Sequence, residues 1–560
     1  MEFNIADLYE SLADHVPDRP ALVAGDKTLT FAQLEARANS LAHALAKRGV
    51  TAGSHVGLYL YNGAEFVESM LACFKLRAVP ININYRYVED ELSYLYRNAD
   101  LVCVIQQREL GPRTAHVKDG VPTLKFLVAV EDGSDADLGG AEPYEALMAE
   151  GSPKRDFGPR SGDDIYMIYT GGTTGMPRGV MWRHEDVFFA GLQGANPGGD
   201  PVENAADVGP NAAQRDEPMA ILPAAPFIHG AAQWAAWIAI FTGGKVVVSP
   251  GRTFDPHAVV GLIERERVMV VNLVGDAMAK PFADALRAAG GKRDLSSLMA
   301  VASAGAILSE SVKAELTELL PDAMVLNAFG ATETGHQGTV YPGGEGGRPS
   351  FFMDDSNTVL GEDGKPIAPG SGVIGRLARR GRLPVGYYKD PEKTAATFLT
   401  IDGQRWVVPG DLATIEEDGR ITVFGRGAVC INSGGEKVFP EEVEEAIKAH
   451  PDVVDAVVVG VPDEKWGQRV AAVVQTKPGA DFTLSALDAH CRTKVAGYKV
   501  PRQMHLVPLV SRHPSGKPDY RWARDVATGV ISLSTRTRCT STTRPKRRSS
   551  ATSCAPISIG

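Results

Sequence analysis

Short apolar runs alternate with amphipathic segments along the first 130 residues of the chain. Residues 56–60 and 79–83 are apolar and β-branched runs of a length that is typical of buried strands. Residues 65–76 lie between them and carry apolar positions at helical spacing. Further strand-like runs follow at 101–106 and 124–130. Because strands that alternate with helices pair in parallel, the pattern predicts an α/β fold with a mainly parallel sheet covered on both faces.

The middle of the chain continues this pattern after a polar interruption. Residues 190–217 are rich in Gly, Pro and Asn and predict an excursion loop between core elements. Further strands are predicted at 245–249, 268–273 and 299–303. Residues 376–388 and 404–424 contain shorter runs with Asp-Gly turns, which favours antiparallel strands.

A second, smaller domain is predicted after Gly425 and Arg426, where the pattern changes. A helix is predicted to begin at Pro440, with carboxylates in its first turn that suit the helix dipole. Strands at 453–461 and 470–475 and a helix at 484–496 complete a compact α+β unit of about 100 residues. We therefore expect an N-terminal domain over residues 1–425 and a smaller C-terminal domain over residues 426–525.

Residues 526–560 differ from both domains in composition. They contain six Lys or Arg residues and no Asp or Glu, and residues 532–553 are mostly Ser, Thr and Arg. This composition is typical of disordered chain. A basic tail that contacts a membrane or a polyanion is one interpretation, and a terminus without function is the one we favour. We expect deletion of everything after Arg524 to leave specific activity nearly unchanged.

Length, charge and cysteine usage narrow the class of protein. The 560 residues exceed one ordinary domain, and 44% apolar with 22% charged residues is ordinary for a globular chain. The net charge of −10 argues against a general nucleic-acid binder. Six cysteines are scattered without a Cys-x-x-Cys pair, which favours a reducing cytoplasm. The N-terminus does not resemble a signal peptide, and the longest apolar stretch, near 231–241, is too short to span a bilayer.

The strongest candidate for chemistry is segment 169–179, Tyr-Thr-Gly-Gly-Thr-Thr-Gly-Met-Pro-Arg-Gly. It follows a strand predicted at 164–168 and precedes a helix predicted from about His184. Glycines let backbone N–H groups face oxygen anions, and threonine hydroxyls and Arg178 add donors and charge. The segment is neither a Walker A loop nor a dinucleotide fingerprint. We therefore predict a phosphate-binding loop rather than a glycine-rich turn without a ligand. Its candidate ligands are Thr170, Gly171, Gly172, Thr173, Thr174, Gly175 and Arg178.

A second candidate segment, residues 327–334, has the sequence Asn-Ala-Phe-Gly-Ala-Thr-Glu-Thr. Phe329 could stack on a purine and Thr332 could bind phosphate. Glu333 could hold Mg²⁺, which prefers carboxylate and phosphate oxygens. A surface turn is the alternative interpretation. Small residues at 303–307 could lie flat against a nucleobase.

Three further residues are candidates for binding and catalysis. Asp411 follows a glycine in a tight turn and could accept hydrogen bonds from ribose hydroxyls, although Asp after Gly is common in turns. Arg426 supplies a cation at the domain boundary. Lys517 lies on a glycine-containing loop and could stabilise negative charge as a carboxylate attacks phosphorus. A solvated surface lysine is the alternative.

These motifs together resemble those of adenylate-forming enzymes. In chain order they are residues 169–179, 329–333, 386–392, 410–411, 425–426, 435–444 and 516–517. The chain resembles an acyl-CoA synthetase of that superfamily from about residue 5 to 525. Segments 169–177 and 430–440 look most like those of actinobacterial long-chain fatty-acyl and steroid-side-chain CoA ligases.

The resemblance implies a two-step reaction that uses ATP, Mg²⁺ and CoA. A carboxylate attacks the α-phosphorus of ATP to give acyl-AMP and pyrophosphate, and CoA then displaces AMP to form the thioester. It also implies that the small domain rotates between the steps about a hinge near Ala428. Lys517 would serve the first step, and Gly434 and Gly435 would line the CoA tunnel in the second.

The resemblance further implies a role for each matching residue. The β- and γ-phosphates would be held by Thr170, Thr173, Thr174 and Arg178. Adenine would be framed by Gly305, Ala306, Asn327 and Phe329, next to the close-approach Gly330. The ribose would be bound by Asp411 and Arg426, and the α-phosphate and Mg²⁺ would be bound by Thr332 and Glu333. Three positions depart from the family's pattern. Arg178 stands where Lys is usual, Gly171 replaces Ser, and Ala428 replaces a polar hinge residue.

Residues 226–237 match the helix that lines the acyl site in such enzymes. His229 would gate this site or contact the carboxylate, and a core histidine is the equally weighted alternative. Four alanines in the helix predict a roomy apolar pocket and a bulky or long acid. Its tryptophans are expected to serve packing.

Two other functions remain as alternatives. An adenylation enzyme that loads a carrier protein would share the motifs, but no carrier domain follows Lys517. An inactive nucleotide-binding relative is disfavoured because Glu333 and Lys517 are present. A cytoplasmic location is expected, and a peripheral membrane contact and a homo-oligomer are left open.

Overall fold

A computed structural model describes most of both predicted domains. The described residues are 1–170, 176–249, 251–306, 308–340, 350–433, 436–463, 466–513 and 516–531. The predicted ligands Gly171, Gly172, Thr173, Thr174, Gly175, Gly434 and Gly435 lie outside these ranges, as do residues 532–560 of the predicted tail.

The α-helices are spread over both domains. Within the described residues they are α1 (Ile5–His15), α2 (Phe31–Lys47), α3 (Ala64–Lys75), α4 (Glu89–Asn98), α5 (Gly111–Val117), α6 (Tyr144–Ala149), α7 (His184–Ala190), α8 (Val208–Ala213), α9 (Gly230–Phe241), α10 (Pro256–Glu266), α11 (Gly275–Ala289), α12 (Glu310–Leu319), α13 (Pro391–Thr397), α14 (Pro440–Lys448), α15 (Leu484–Cys491) and α16 (Tyr520–Ala527).

The strands are short and numerous. Within the described residues they are β1 (Pro20–Ala24), β2 (Lys27–Thr30), β3 (His55–Tyr59), β4 (Val79–Asn82), β5 (Leu101–Gln107), β6 (Phe126–Val130), β7 (Glu142–Pro143), β8 (Ile165–Thr170), β9 (Arg178–Arg183), β10 (Ala220–Pro223), β11 (Lys245–Val248), β12 (Val270–Leu273), β13 (Ala300–Ser303), β14 (Met324–Ala331), β15 (Gly335–Val340), β16 (Ser350–Met353), β17 (Asn357–Leu360), β18 (Gly375–Arg380), β19 (Gly386–Tyr387), β20 (Phe398–Ile401), β21 (Gln404–Val407), β22 (Asp411–Ile415), β23 (Ile421–Arg426), β24 (Ile431–Ser433), β25 (Glu436–Val438), β26 (Val453–Asp463), β27 (Gly467–Thr476) and β28 (Gln503–Leu506).

In the described part of the chain these strands form four sheets. The largest has the order β2-β1-β11-β10-β12-β13-β14-β15-β16-β23-β22-β18-β21-β20, with β17 paired to β18. It is parallel from β1 to β14 and antiparallel from β14 onward. The second sheet, β4-β3-β5-β6-β7, is parallel throughout. Strands β19, β9 and β8 form a small third sheet, and the C-terminal domain holds β25-β24-β27-β26 with β28 on β27. The predicted α/β fold with a smaller α+β domain is confirmed.

Helix α2 shows how the sequence fixes a local element. Thr30 caps its N-terminus in a reciprocal pair with Gln33, each side chain bonding to the other's main-chain N–H at 3.2 and 2.9 Å. Leu34, Leu41 and Leu45 recur at helical spacing and are fully buried. The helix therefore packs this apolar face into the hydrophobic core.

The predicted excursion loop at 190–217 is partly helical and packed. Helix α8 lies in it and packs on α1, and a Cβ atom placed on Gly209 would lie 2.4 Å from the hydroxyl of Ser11. Val208 and Ala212 are almost completely buried. Helix α8 has only about one and a half turns, and a segment of this length is too short to show apolar periodicity in the sequence.

Two predicted boundaries in the C-terminal domain differ from the structure. Helix α15 ends at Cys491, before the predicted residue 496. Helix α16 continues to Ala527, so the predicted domain end at 525 falls inside it, and both Val526 and Ala527 are buried.

Across the described ranges, no helix combines the length and apolar character that crossing a bilayer requires.

Candidate active site

The predicted phosphate loop (residues 170–178) joins two antiparallel strands. Thr170 ends β8, Arg178 begins β9, and the two residues are register partners. The helix predicted from about His184 is confirmed as α7, but strand β9, which was not predicted, lies between the loop and this helix. The alternate residues Val180 and Trp182 are fully buried, which is the pattern of a strand. A helix N-terminus therefore does not follow the predicted loop directly, and the helix dipole is not available to support phosphate at this position.

The strand after the loop needs a glycine for packing. A Cβ atom on Gly179 would lie 2.7 Å from the ring of Tyr169 and 2.7 Å from the sulfur of Met167. The close approach of the two strands therefore holds both ends of the loop together.

The Thr332–Glu333 turn connects β14 to β15 and is tied to the loop's own strand. The indole Nε1–H of Trp182 in β9 donates to the main-chain oxygen of Thr332 at 2.8 Å. The hydroxyl of Tyr387 in β19 donates to Glu333 Oε1 at 3.0 Å. Because β19 and β9 are paired, both contacts come from the small third sheet. The turn that carries the predicted metal ligand is thus bonded to the strand that follows the predicted phosphate loop and to the strand paired with it.

Arg379 bonds to the residues that follow the same turn. Its side chain is buried and donates to the main-chain oxygen of Thr334 at 2.9 Å and also to that of His336. Burial, together with the charge of Arg379, lowers the pKa of His336. The sequence pattern did not indicate Arg379, because a lone arginine in a strand carries no motif.

The residues predicted to frame adenine meet at the carboxyl ends of β13 and β14. Ser303 and Asn327 are register partners, and Gly305 and Ala306 follow β13 directly. Gly305 has a positive φ of 82°, with nothing within 4 Å of a Cβ placed on it. The ring of Phe329 packs on Phe351 at 5.2 Å. Carboxyl ends of neighbouring strands are where open α/β sheets bind ligands.

Gly330, the last of the predicted nucleotide-binding residues in β14, is required by the backbone. A Cβ atom on it would lie 2.3 Å from the main-chain oxygen of Gly335. The register of β14 and β15 shifts between Phe329 and Gly330, which is where the hairpin bends.

The acyl turn (residues 225–229) lies beside the Thr332–Glu333 turn. His229 occupies the N-cap position of α9. A Cβ atom on Gly230 would lie 3.7 Å from Thr332 Oγ1 and 3.0 Å from Ile168 in β8. The predicted acyl site, the predicted α-phosphate ligand and the strand before the phosphate loop are therefore adjacent. Trp237 is buried against Phe74 and Phe241, so this tryptophan serves packing as expected.

Arg178 forms an ion pair that the sequence did not predict. Its Nε–H donates to Asp390 Oδ2 at 2.8 Å. Asp390 caps α13 by accepting from the N–H of Lys393, and this bond, followed by the bond from Arg178, lowers the pKa of Asp390. Both partners stood in segments that the family resemblance had marked, but the pairing needs the tertiary fold.

Asp411 lies at the junction of the two domains. It begins β22, is 9% exposed, and is the register partner of Arg426, whose main chain ends β23. The adjacent Gly425 has a φ of 104°, and a Cβ atom on it would lie 2.5 Å from the carboxylate of Glu441 in α14. The ribose candidate therefore lies close to the start of the C-terminal domain.

The lysine loop (residues 511–519) of the C-terminal domain reaches the large sheet. A Cβ atom placed on Gly516 would lie 2.9 Å from Val274 Cγ1, at the carboxyl end of β12. The next residue, Gly275, donates its N–H to the hydroxyl of Ser303 at the end of β13, 2.9 Å away. The loop is held by Arg512, which donates to the Gly516 oxygen at 3.0 Å and pairs with Asp455 at 2.6 Å. Lys517, the residue after Gly516, therefore lies near the carboxyl ends of β12 and β13, where Gly305 also lies.

Known proteins match the chain over both domains. The AMP-binding enzyme family model matches residues 9–388, and the AMP-binding enzyme C-terminal domain model matches residues 442–517. The chain is 50% identical over 538 residues to the medium/long-chain-fatty-acid–CoA/3-oxocholest-4-en-26-oate–CoA ligase of Mycolicibacterium smegmatis, covering 94% of this chain and 97% of that protein. It is 49% identical over 536 residues to the 3-oxocholest-4-en-26-oate–CoA ligase of Rhodococcus rhodochrous, covering 94% and 96%. The fold matches the anthranilate CoA ligase AuaEII in complex with anthranoyl-AMP with a TM-score of 0.81 at 24% identity, over 94% of this chain and 98% of that one.

Proposed function

Because the chain belongs to the AMP-binding enzyme family, we propose that it is an ATP-dependent acyl-CoA synthetase. Its substrate is a long-chain fatty or steroid-side-chain carboxylic acid. Relatives at 49–50% identity are named as CoA ligases for acids of this class. The product is the CoA thioester, formed through acyl-AMP.

The convergence of three elements on one edge of the fold carries this proposal. The strands of the phosphate loop hold the Thr332–Glu333 turn through Trp182. The same turn lies next to Gly230 of the acyl site. The lysine loop is seated against Val274 at the carboxyl edge of the large sheet. A nucleotide, a carboxylate and an ammonium group can therefore meet in one place.

The chemistry follows from that placement. A carboxylate oxygen of the acid attacks the α-phosphorus of ATP, a P–O bond forms, and the bond to the bridging oxygen breaks so that pyrophosphate leaves. Lys517 stabilises the negative charge that accumulates at this stage. The sulfur of CoA then attacks the acyl carbon, its proton passes to solvent, and the C–O bond to AMP breaks. A carboxylate alone has no comparable leaving group, which is why the adenylate is needed.

Glu333 suits Mg²⁺ that arrives with the nucleotide. Its carboxylate is held by the Tyr387 hydroxyl, and Mg²⁺ commonly takes one or two carboxylates together with phosphate oxygens. Among the described residues no group of three or more His, Cys, Asp or Glu could hold a metal ion by itself. The ion would neutralise phosphate charge, and Glu333 would orient it.

Purified protein with ATP, Mg²⁺ and acids from acetate to steroid-side-chain acids tests the proposal. We expect AMP release and CoA thioester formation with long or steroidal acids and little with acetate. Absence of AMP and acyl-AMP with every acid would refute the synthetase, and preferred transfer to a holo-carrier protein would replace CoA as the acceptor.

Lys517→Ala tests the assigned role of the lysine. We expect adenylation to fall about 100-fold or more, while thioester formation from premade acyl-AMP changes by less than about 3-fold. Lys477→Ala, which removes an exposed lysine of the same domain, is the matched control. Equal losses in both half-reactions of Lys517→Ala would contradict the role.

A further inference from the structure

The side chain of Asn82 bonds to two segments that belong to different binding sites. Asn82 ends β4 and is 5% exposed. Its Nδ2 donates to the main-chain oxygen of Tyr169 at 2.9 Å and to that of Ile228 at 2.6 Å. Its Oδ1 accepts from the main-chain N–H of Tyr169 at 2.7 Å. Both N–H donors and the oxygen of this amide are therefore used.

Each partner directly precedes a predicted ligand. Tyr169 lies in β8, one residue before Thr170 and the phosphate loop. Ile228 lies in the acyl turn, one residue before His229. Strand β8 is the edge of its sheet, paired only with β9 among the described strands. The Asn82 amide bonds to both the N–H and the carbonyl oxygen of Tyr169. It therefore makes the hydrogen bonds that a neighbouring strand would make on the unpaired side of β8.

We propose that Asn82 is a positioning residue that sets the distance between the phosphate loop and the acyl turn. This inference rests on the proposed synthetase function. In the first step a carboxylate oxygen must lie in line with the α-phosphorus, and a misplacement of about 1 Å can cost about 100-fold in rate. The α-phosphorus position follows the loop, and the carboxylate position follows the acyl turn. A buried amide bonded to both main chains fixes one relative to the other.

The chain offers a matched control in Asn62. Its Nδ2 donates to the Ala225 oxygen at 3.0 Å, and its Oδ1 accepts from the Phe227 N–H at 2.7 Å. Asn62 therefore supports the acyl turn with the same chemistry, and its side-chain hydrogen bonds go to the acyl turn rather than to β8. If support of the acyl turn alone mattered, the two asparagines would respond alike.

Two half-reactions measured separately test the proposal. Carboxylate-dependent exchange of pyrophosphate into ATP reports adenylation, and thioester formation from premade acyl-AMP reports the second step. We expect Asn82→Ala to lower kcat for adenylation about 100-fold and to raise KM for both ATP and the acid, with thioester formation within about 3-fold of the parent. Asn62→Ala should raise KM for the acid while kcat for adenylation stays within about 5-fold, because the phosphate loop keeps its support.

Asn82→Asp separates hydrogen bonding from packing. The carboxylate has nearly the same shape and can still accept from Tyr169, but it cannot donate to the two main-chain oxygens. We expect the same selective loss of adenylation as in Asn82→Ala, with a lowered melting temperature, because the carboxylate is buried beside two main-chain oxygens. Either variant decides the question if the other does not fold.

Three outcomes would overturn the inference. They are equal losses in both half-reactions, a profile for the Asn82 variants that matches Asn62→Ala, and full adenylation activity in Asn82→Asp. Each of them would leave the synthetase function intact, because the parent protein would still form acyl-AMP and the thioester. A parent that forms neither product would remove the proposed function and this inference together.

Discussion

The ammonium group of Lys448 lies 2.8 Å from Asp276 Oδ2, and this buried ion pair joins the C-terminal domain to the N-terminal domain. Burial acts to lower the pKa of Lys448, but the charges of Asp276 and Glu445 outweigh it, and the pKa is raised. A second contact lies close by, where the main-chain N–H of Glu310 donates to Glu445 Oε1 at 3.0 Å. These contacts accompany the seating of Gly516 on Val274. They belong to one orientation of the C-terminal domain.

Asp276→Asn should disfavour this orientation. The substitution removes the closest carboxylate that faces Lys448 and leaves Glu445, so we expect a cost below the ~3–5 kcal/mol of a buried charge without any partner. We expect adenylation to fall about 10-fold or more, since Lys517 serves that step, and thioester formation from premade acyl-AMP to be unchanged or faster. Stopped-flow measurement of the two half-reactions checks this.

The charge-swapped pair Asp276→Lys with Lys448→Asp provides the rescue test for that contact. It should recover part of the adenylation rate, because the ion pair can form in reverse. Asp488→Asn, which breaks the exposed pair of Asp488 with Arg492 in the same domain, is the control and should have little effect. No rescue together with equal losses in both steps would show that the pair is only structural.

Gly516→Ala should displace Lys517 without removing it. Gly516 has a φ of 73°, a region that costs an L-residue about 1–2 kcal/mol, and its Cβ would press on Val274. We expect adenylation to fall about 10- to 100-fold. Gly479→Ala is the control, since Gly479 has a φ of 80° with nothing within 4 Å of its Cβ position. Similar adenylation rates in the two variants would mean that the contact with Val274 does not position the lysine.

Truncation separates the C-terminal helix from the residues after it. We expect a chain that ends at Ile531 to keep the parent's melting temperature and activity. A chain that ends at Arg524 should melt at a lower temperature, because it loses buried Val526 and Ala527 and the bond from Gln503 Nε2 to the Ala527 oxygen, 2.7 Å long. Differential scanning fluorimetry of both truncations checks this, and equal melting of the two would contradict the packing argument.

The sequence predicted those parts of the fold that leave a pattern in neighbouring residues. Apolar runs gave the strands of the parallel sheets, and the motif residues gave the family and the candidate ligands. Helix α8 was missed because its buried face is only Val208 and Ala212. Strand β9 was not predicted, because a phosphate loop directly before a helix is the commoner arrangement. The hairpin becomes visible only in the pairing of Thr170 with Arg178.

The supporting residues of the site could not be predicted because their partners are distant in sequence. Trp182 bonds to a residue 150 positions away, and Arg178 to one 212 positions away. Asn82 lies 87 and 146 positions from its two partners. Each is an ordinary residue until the chain is folded, and none forms a local pattern that single-sequence reasoning can detect.

The pairing of Arg178 with Asp390 predicts that lysine cannot replace this arginine. A guanidinium carries five N–H donors, so it can bond to Asp390 through Nε and to a phosphate through its other nitrogens. We expect Arg178→Lys and Asp390→Asn to raise KM for ATP about 5- to 10-fold, with a smaller change in kcat. Arg183→Ala, at the other end of β9, is the control, since Arg183 pairs with exposed Asp163 and with buried Asp186, and Asp186 keeps its contact with Arg382. Unchanged ATP affinity in both test variants would exclude the phosphate role.

The carboxyl group of Glu441 should make the folded protein less stable as the pH rises. Burial, followed by the charge of Glu444, raises the pKa of Glu441 from 4.5 to about 8, and Asp411 adds to the effect while Tyr520 opposes it. Its Oε2 is buried without a hydrogen-bond partner among the described residues. The folded protein keeps this proton where the unfolded chain has lost it. The stabilising contribution is therefore fully present below about pH 4.5 and is lost as pH rises through about 8.

Urea denaturation at several pH values checks this sign. We expect the difference in unfolding free energy between the parent and Glu441→Gln to shift against the parent by about 4 kcal/mol between about pH 5 and about pH 9. Glu441→Gln should flatten the curve and be the more stable protein at the alkaline end, because its amide stays neutral. Some slope should remain, since burial also raises the pKa of Glu444 to about 7. Glu442→Gln, which breaks the pair of Glu442 with Lys499 at 2.8 Å, should leave the slope in place. A parent that gains stability relative to Glu441→Gln across this range would contradict the raised pKa and show that the Glu441 carboxyl is ionised in the folded protein.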